Sequence, residues 1–313
     1  MALAPIIVFV YNRPWHTQQT IEALQKNELA TESELFIFAD GPKANATEEQ
    51  KEKIRQVREY IHKTSGFKSV TICEKETNCG LANSVIAGVT EIINKFGKTI
   101  VVEDDLLTSK YFLRFMNEAL DFYEQDKRIY MIGGFNLDFK FPHTYLDDVF
   151  IVHRSCSWGW STWKNRWMTA DWAVSDYSSF ANDKTQIERF CRGGNDMFPM
   201  LQNQMDGKLD SWAIRWDYCM YKHDAYCLWP KYSMVKNIGF DGSGIHCGEN
   251  DYIENSYFSC QTSYKIKLVR NISANTKLEK LFKDLCSSNH GASVAAKIKK
   301  FIINVMNSIK GML

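Results

Sequence analysis

Three short, uninterrupted apolar runs constrain this chain more than any other feature: Ile6-Ile7-Val8-Phe9-Val10, Leu35-Phe36-Ile37-Phe38-Ala39 and Thr99-Ile100-Val101-Val102. Each has the length of a strand and shows no polar alternation. A strand that is apolar at every position is covered on both faces, as in the parallel sheets of α/β domains. Helical patterns fill the gaps. Pro14 suits the first turn of a helix through Thr17 to Leu24. Thr47 and Gln50 match a capping box that opens a charged helix over Glu48–His62. A weaker strand over Ser69–Cys73 precedes a helix over Leu81–Phe96, with Leu81, Val85, Val89, Ile92 and Ile93 on one face. The expected fold class is α/β, a Rossmann-like, mostly parallel sheet flanked by helices, with ligands at the carboxyl ends of the strands.

Beyond about residue 140 the pattern loosens into strand-like pieces (Val149–His153, Ala225–Trp229), tryptophan-rich segments and Gly/Asp loops. This half reads as the continuation of the same sheet plus loops that shape a pocket. The expected organisation is one domain over 1–275, with halves 1–140 and 141–275, and an amphipathic helical extension over 276–313. In that extension Val294, Ile298, Phe301, Ile302, Val305 and Ile309 form an apolar stripe flanked by lysines. The stripe could pack on the body, join another subunit or lie on an anionic membrane surface.

A formal net charge of +1 gives no global pull toward nucleic acid. The nine cysteines include no CxxC pair, so a zinc knuckle is not expected. No run reaches the ~18 apolar residues of a membrane span, and Ile6–Val10 lacks a basic leader. The expected compartment is therefore cytoplasmic with reduced thiols, in peripheral contact with the membrane if the terminal stripe serves that purpose.

The chemistry concentrates at Glu103-Asp104-Asp105, immediately after a buried strand. Carboxylates grouped there call for a cation. A hard divalent ion, Mn²⁺ or Mg²⁺, takes one or two carboxylates together with substrate phosphate oxygens. The competing reading is a solvated acidic turn before a helix starting near Ser109. Asn78-Cys79-Gly80-Leu81-Ala82-Asn83 opens the next-to-last helix of this half, where Gly80 permits close approach and the helix start receives anions. Tyr11 and Arg13 end the first strand, with Arg13 either on a phosphate or base or merely at the surface. Asp40 ends the second, as a base or ribose contact or as a plain Asp-Gly-Pro turn.

The ordered set Tyr11-Asn12-Arg13-Pro14, Asp40-Gly41-Pro42, Asn78-x-Gly80-Leu81 and Val101-Val102-Glu103-Asp104-Asp105 resembles the GT-A glycosyltransferases, family-2-like, over roughly residues 5–250. More narrowly it is similar to the branch around the animal N-acetylglucosaminyltransferase that starts hybrid and complex N-glycans. The resemblance implies an inverting, metal-dependent transferase of glycan or polysaccharide biosynthesis. Such an enzyme moves a hexosyl or N-acetylhexosaminyl group from a nucleotide-diphosphate sugar, a UDP-sugar in that branch, to a free or lipid-linked saccharide. It places the metal on Asp105, and puts Glu103 and Asp104 against donor ribose and sugar hydroxyls. Tyr11, Arg13, Asp40, Gly80 and Asn83 complete the donor side.

The family's general base opens an acidic-tryptophan helix, matched here by Asp210 ahead of Trp212. Ser211 departs from the family's doubled Asp, so Asp217 remains a competitor, and Asp210 could instead simply cap the helix. Asn237 through Cys247 resembles the family's late site loop. There His246 is a candidate second metal ligand or diphosphate contact, against a purely structural histidine. Trp158 and Trp160 are candidates for the acceptor or sugar wall, although Trp160, Trp163 and Trp167 would share one helical face and core packing explains such a stripe equally well. Two rival functions stay open: a sugar-phosphate nucleotidyltransferase, and a non-catalytic carbohydrate-binding protein on the same fold.

Overall fold

The computed structural model of the chain describes residues 2–137, 141–241 and 264–287. Its strands are β1 (Ile6–Val10), β2 (Glu34–Ala39), β3 (Ser69–Glu74), β4 (Lys98–Glu103), β5 (Leu106–Thr108), β6 (Ile129–Gly133), β7 (Val149–Val152), β8 (Trp160–Trp163), β9 (Tyr226–Pro230) and β10 (Val235–Asn237). Eight of them form one sheet in the order β3-β2-β1-β4-β8-β6-β9-β7. β1 to β4 are mutually parallel, and β6 and β9 run with them, while β8 and β7 run antiparallel to their neighbours. The fold is α/β with a mostly parallel sheet, as the apolar runs predict. β1 is buried at every position, in keeping with its place well inside the sheet. β3, at the edge, is the weakly apolar strand.

Helices α1 (Pro14–Gln25), α2 (Glu48–Ile61), α3 (Leu81–Phe96) and α4 (Phe112–Tyr123) cover the sheet. The capping box at Thr47 and Gln50 forms as predicted. α1 packs against α2, and Asn27 at its end accepts from the Leu113 amide of α4. The other face carries α3 and the helix Trp212–Lys222. β8 shows how both layers are held. Successive strand residues point to opposite faces, so Trp160 stacks on Trp212 while the Trp163 indole donates to the Leu120 carbonyl of α4.

Two expectations are corrected. Trp160–Trp163 is a central strand, followed only by the short helix Lys164–Trp167, so the three tryptophans do not share a helical face. The acidic triplet does not lead straight into a helix near Ser109. It turns into β5, which pairs antiparallel with β10, and α4 starts only at Phe112. The helix Thr276–Ser287 docks on the body through Phe282, packed against Phe150 and Trp229. The apolar stripe Val294 to Ile309 lies outside the described residues. None of the helices in the described residues is long and apolar enough to cross a membrane.

Gly88 brings α3 onto β1: a Cβ there would stand 2.9 Å from the Phe9 ring. Gly88→Ala should destabilise the protein by about 1–2 kcal/mol in urea unfolding. Overpacking costs roughly 1–3 kcal/mol, more than the ~1 kcal/mol gained in helix propensity. A stabilised variant would contradict the packing described.

Candidate active site

The parallel strands deliver their loops to one edge, and the residues picked out in the first half converge there. β4 pairs with β1 so that Glu103 stands opposite Phe9, which brings the acidic triplet beside Tyr11 and Arg13. Arg13 precedes Pro14 at the start of α1, and its side chain caps nothing there. Its guanidinium instead contacts Asp104 Oδ1, and its Nη1 lies 3.0 Å from Asp105 Oδ2. It is therefore not a surface residue but the counter-ion of Asp104 and Asp105. Burial opposes the Arg13 charge, yet Asp104 and Asp105 raise its pKa further above the ordinary value.

One guanidinium does not balance three carboxylates. Burial first, then Asp105 and Asp104, pushes the Glu103 carboxyl up to about 8. Burial likewise raises Asp104, against the pull of Arg13. The turn itself is rigid. Thr20 Oγ1 donates to the Asp104 carbonyl at 2.8 Å and accepts from the Leu106 amide at 3.1 Å. On the other side the Ile238 amide donates to the Asp105 carbonyl at 2.8 Å. Asp105 Oδ1 is buried and has no hydrogen-bond partner among the described residues. A buried, unpartnered carboxylate oxygen inside an excess of negative charge fits a hard divalent cation. Among the described residues no three His, Cys, Asp or Glu side chains converge as a ready-made metal cage. Asp105 would thus supply the protein oxygen, and phosphate and water would supply the rest. His246 lies outside the described residues.

Asp40 serves the architecture of this edge. Its carboxylate accepts from the Gly41 amide at 2.9 Å and the Cys79 amide at 3.0 Å, joining the loops after β2 and β3. Burial, and to a lesser degree Asp40, raises the pKa of the Tyr11 phenol. Gly80 occupies φ +82°, a conformation natural to glycine, just before α3, and Asn83 donates to the Cys79 carbonyl at 3.2 Å.

Asp210 enters the same edge from the second half. Ser211, and not Asp210, caps the Trp212 helix. Asp210 Oδ2 accepts from the Ala82 amide at 3.3 Å, at the start of α3, and the residue is exposed. Asp217 is held quite differently. It lies two turns along the helix, about 10 Å away by helical rise, and is buried, accepting from the Ser155 amide at 2.6 Å. Burial pushes its carboxyl up to about 6, against the pull of Arg154, which makes paired hydrogen bonds of 2.8 and 2.7 Å to Asp196.

Trp158 is half-buried on the loop before β8, edge-on to Phe135 at 4.5 Å and to Phe240 at 5.6 Å. Trp160 is fully buried, so it cannot wall a ligand and belongs to the core. Its central strand is covered on both faces, and it stacks between Trp212 and Trp167.

Sequence reasoning left several residues without a role. Gly239, read in sequence only as part of the late site loop, lies so close to the triplet that a Cβ there would overlap Asp105 Oδ2. His16 is buried with Nε2 3.1 Å from Asp241 Oδ2, though without the alignment of a hydrogen bond. Trp15, 57% exposed, places a flat ring beside His16. Thr20 and Arg215 act through contacts that no local pattern announces.

No protein-family model and no curated protein sequence matches the chain. Among solved structures it is similar to S. aureus TarS, with 16% identity over 47% of this chain and 24% of that one, at a TM-score of 0.31. TarS 1–349 matches with 17% identity over 47% and 40%, at 0.31. WbbM, a bifunctional glycosyltransferase in its apo form, matches with 8% identity over 43% and 23%, at 0.27. The chain spans less than half the length of each of these. Likenesses this distant carry no argument about chemistry, so the assignment of the site rests on its own geometry.

The Asp217 environment makes a pH prediction. The folded state holds the Asp217 proton more tightly than the unfolded chain, whose value is near 3.8. That contribution to stability is complete below about pH 4 and is lost as pH rises through about 6. Wild type should lose roughly 2–3 kcal/mol relative to Asp217→Asn between pH 4 and 7 in urea unfolding. Parallel curves for the two proteins would contradict a buried carboxyl that holds its proton.

Proposed function

We propose that this chain is an inverting glycosyltransferase that uses a divalent cation and a nucleotide-diphosphate sugar to glycosylate a saccharide hydroxyl. One observation carries the reading: a pinned turn of three carboxyl groups, two of them buried, answered among the described residues by a single guanidinium, with one Asp105 oxygen left unpartnered there. Beside it at the same sheet edge stands an exposed carboxylate, Asp210, on a helix start. Bound at Asp105, Mn²⁺ or Mg²⁺ would supply Lewis-acid neutralisation of the departing diphosphate. Arg13 and Thr20 hold Asp105 and Asp104 in place, so that the site needs little reorganisation when charge develops. Asp210 is the general base: it takes the proton of the acceptor hydroxyl as that oxygen bonds to the anomeric carbon. The bond from that carbon to the diphosphate breaks on the opposite face, so the configuration inverts. Asp217 is tied to Ser155 in a buried network and has no comparable access. A UDP donor, a hexosyl or N-acetylhexosaminyl group, and action at the cytoplasmic face of a membrane are the corresponding proposals for donor, sugar and place.

The test is a screen of nucleotide sugars against saccharide acceptors, read as release of nucleoside diphosphate. Release from one donor class is expected, and Asp210→Asn should lower turnover by roughly a hundredfold or more with donor affinity near normal. Undiminished turnover in Asp210→Asn would remove it as the base. Pyrophosphate release from a nucleoside triphosphate and a sugar phosphate would support the nucleotidyltransferase reading instead.

A further inference from the structure

A second cleft, of about 520 Å³, opens between α3 and the segment that follows β8. Its walls include Asn83, Ala87 and Thr90 on one side and Trp167, Met168 and Trp172 on the other. The volume falls within the roughly 300–1,000 Å³ of small-ligand sites.

One wall is fastened to Asp210 and the other to its neighbour Ser211. On the α3 side, Asp210 accepts from the Ala82 amide, one residue before Asn83. On the other, Arg215 Nη1 donates to the Trp172 carbonyl at 3.1 Å, and its Nε donates to the Ser211 carbonyl at 3.1 Å, next to Asp210. The Trp172 wall is also locked. Asp171 accepts from the Ala173 and Ser175 amides at 3.0 and 2.7 Å, and the β-branched Val174 is held at φ +52°, where such residues rarely sit. Trp167 donates its indole N–H to Thr90 Oγ1 at 2.9 Å, which joins the two walls at the floor. The larger open cleft beside α2, of about 590 Å³, offers no such case: Arg58 and His62 are already paired with Glu74, and Arg55 with Glu52 and Glu59.

Trp167 is fully buried and serves as floor, so the half-buried Trp172 offers the aromatic surface. Such a ring beside amide and hydroxyl groups binds the CH surfaces and hydroxyls of sugar rings. We infer that this cleft holds the body of an oligosaccharide acceptor whose reacting end lies at Asp210. The inference rests on the transferase reading for that reacting end, and adds that the acceptor is a chain of several sugars. It also places Trp172 as a specificity-determining residue, outside the sheet edge that takes the donor.

The test titrates the full chain with glucose, N-acetylglucosamine and the hexasaccharides of β1,4-glucose, β1,4-N-acetylglucosamine and α1,4-glucose, read by tryptophan fluorescence and calorimetry. At least one hexasaccharide should bind ten times or more tightly than its monosaccharide. Ala87→Arg, a change at an exposed helical position that fills the cleft, should weaken that binding at least tenfold and leave nucleoside-diphosphate affinity with Mn²⁺ unaltered. Trp172→Ala should act in the same direction. Hexasaccharide binding indifferent to Ala87→Arg would overturn the inference, as would failure of every hexasaccharide to bind a protein that binds nucleotide. Cleft-dependent hexasaccharide binding without any nucleotide binding would uphold the cleft and overturn the transferase reading.

Discussion

The imbalance of charge at the end of β4 governs this molecule. Three carboxylates leave a buried strand together, and one guanidinium answers two of them. Water cannot solvate the remainder freely, so the Glu103 carboxyl is pushed up to about 8 and keeps its proton at neutral pH, while the turn is pinned from both sides. Thr20 holds the backbone from α1, and Ile238 holds it from the segment after β10. Arg13 reaches the triplet because β1 and β4 are neighbours in register. In the proposed reading a cation and a diphosphate would complete such a site electrostatically, since each would supply what the other lacks.

The second half of the chain contributes position more than charge. The stacked indoles of Trp160, Trp167, Trp212 and Trp216 fix the Trp212 helix against β8 and α3. That packing sets Asp210 at the start of α3, while Arg215 ties the same helix to the Trp172 segment. An aromatic core of this kind gives a rigid platform, and rigidity is what a proton acceptor needs if it is to meet a hydroxyl at a defined angle.

Much of the first half was legible because burial on both faces leaves a plain mark in sequence. Ile6–Val10 and Leu35–Ala39 are strands for the reason their composition implies. Thr47 and Gln50 announce a helix start through local chemistry alone. The second half was harder. Tryptophans at positions 160, 163 and 167 mimic a helical stripe, yet a four-residue strand followed at once by a four-residue helix produces the same spacing. Asp210 and Asp217 look alike in sequence, and only tertiary packing makes one exposed and the other buried beside Ser155. Arg13 was visible as a candidate, but its partners lie some ninety residues away.

The most direct test of the cation-and-diphosphate site is calorimetric titration of wild type and Asp105→Ala with nucleoside diphosphates, in Mn²⁺ and then in chelator. Wild type should bind one nucleotide with Mn²⁺ and lose it in chelator, and a folded Asp105→Ala protein should bind none. Equal affinity in chelator, or in Asp105→Ala with Mn²⁺, would contradict such a site.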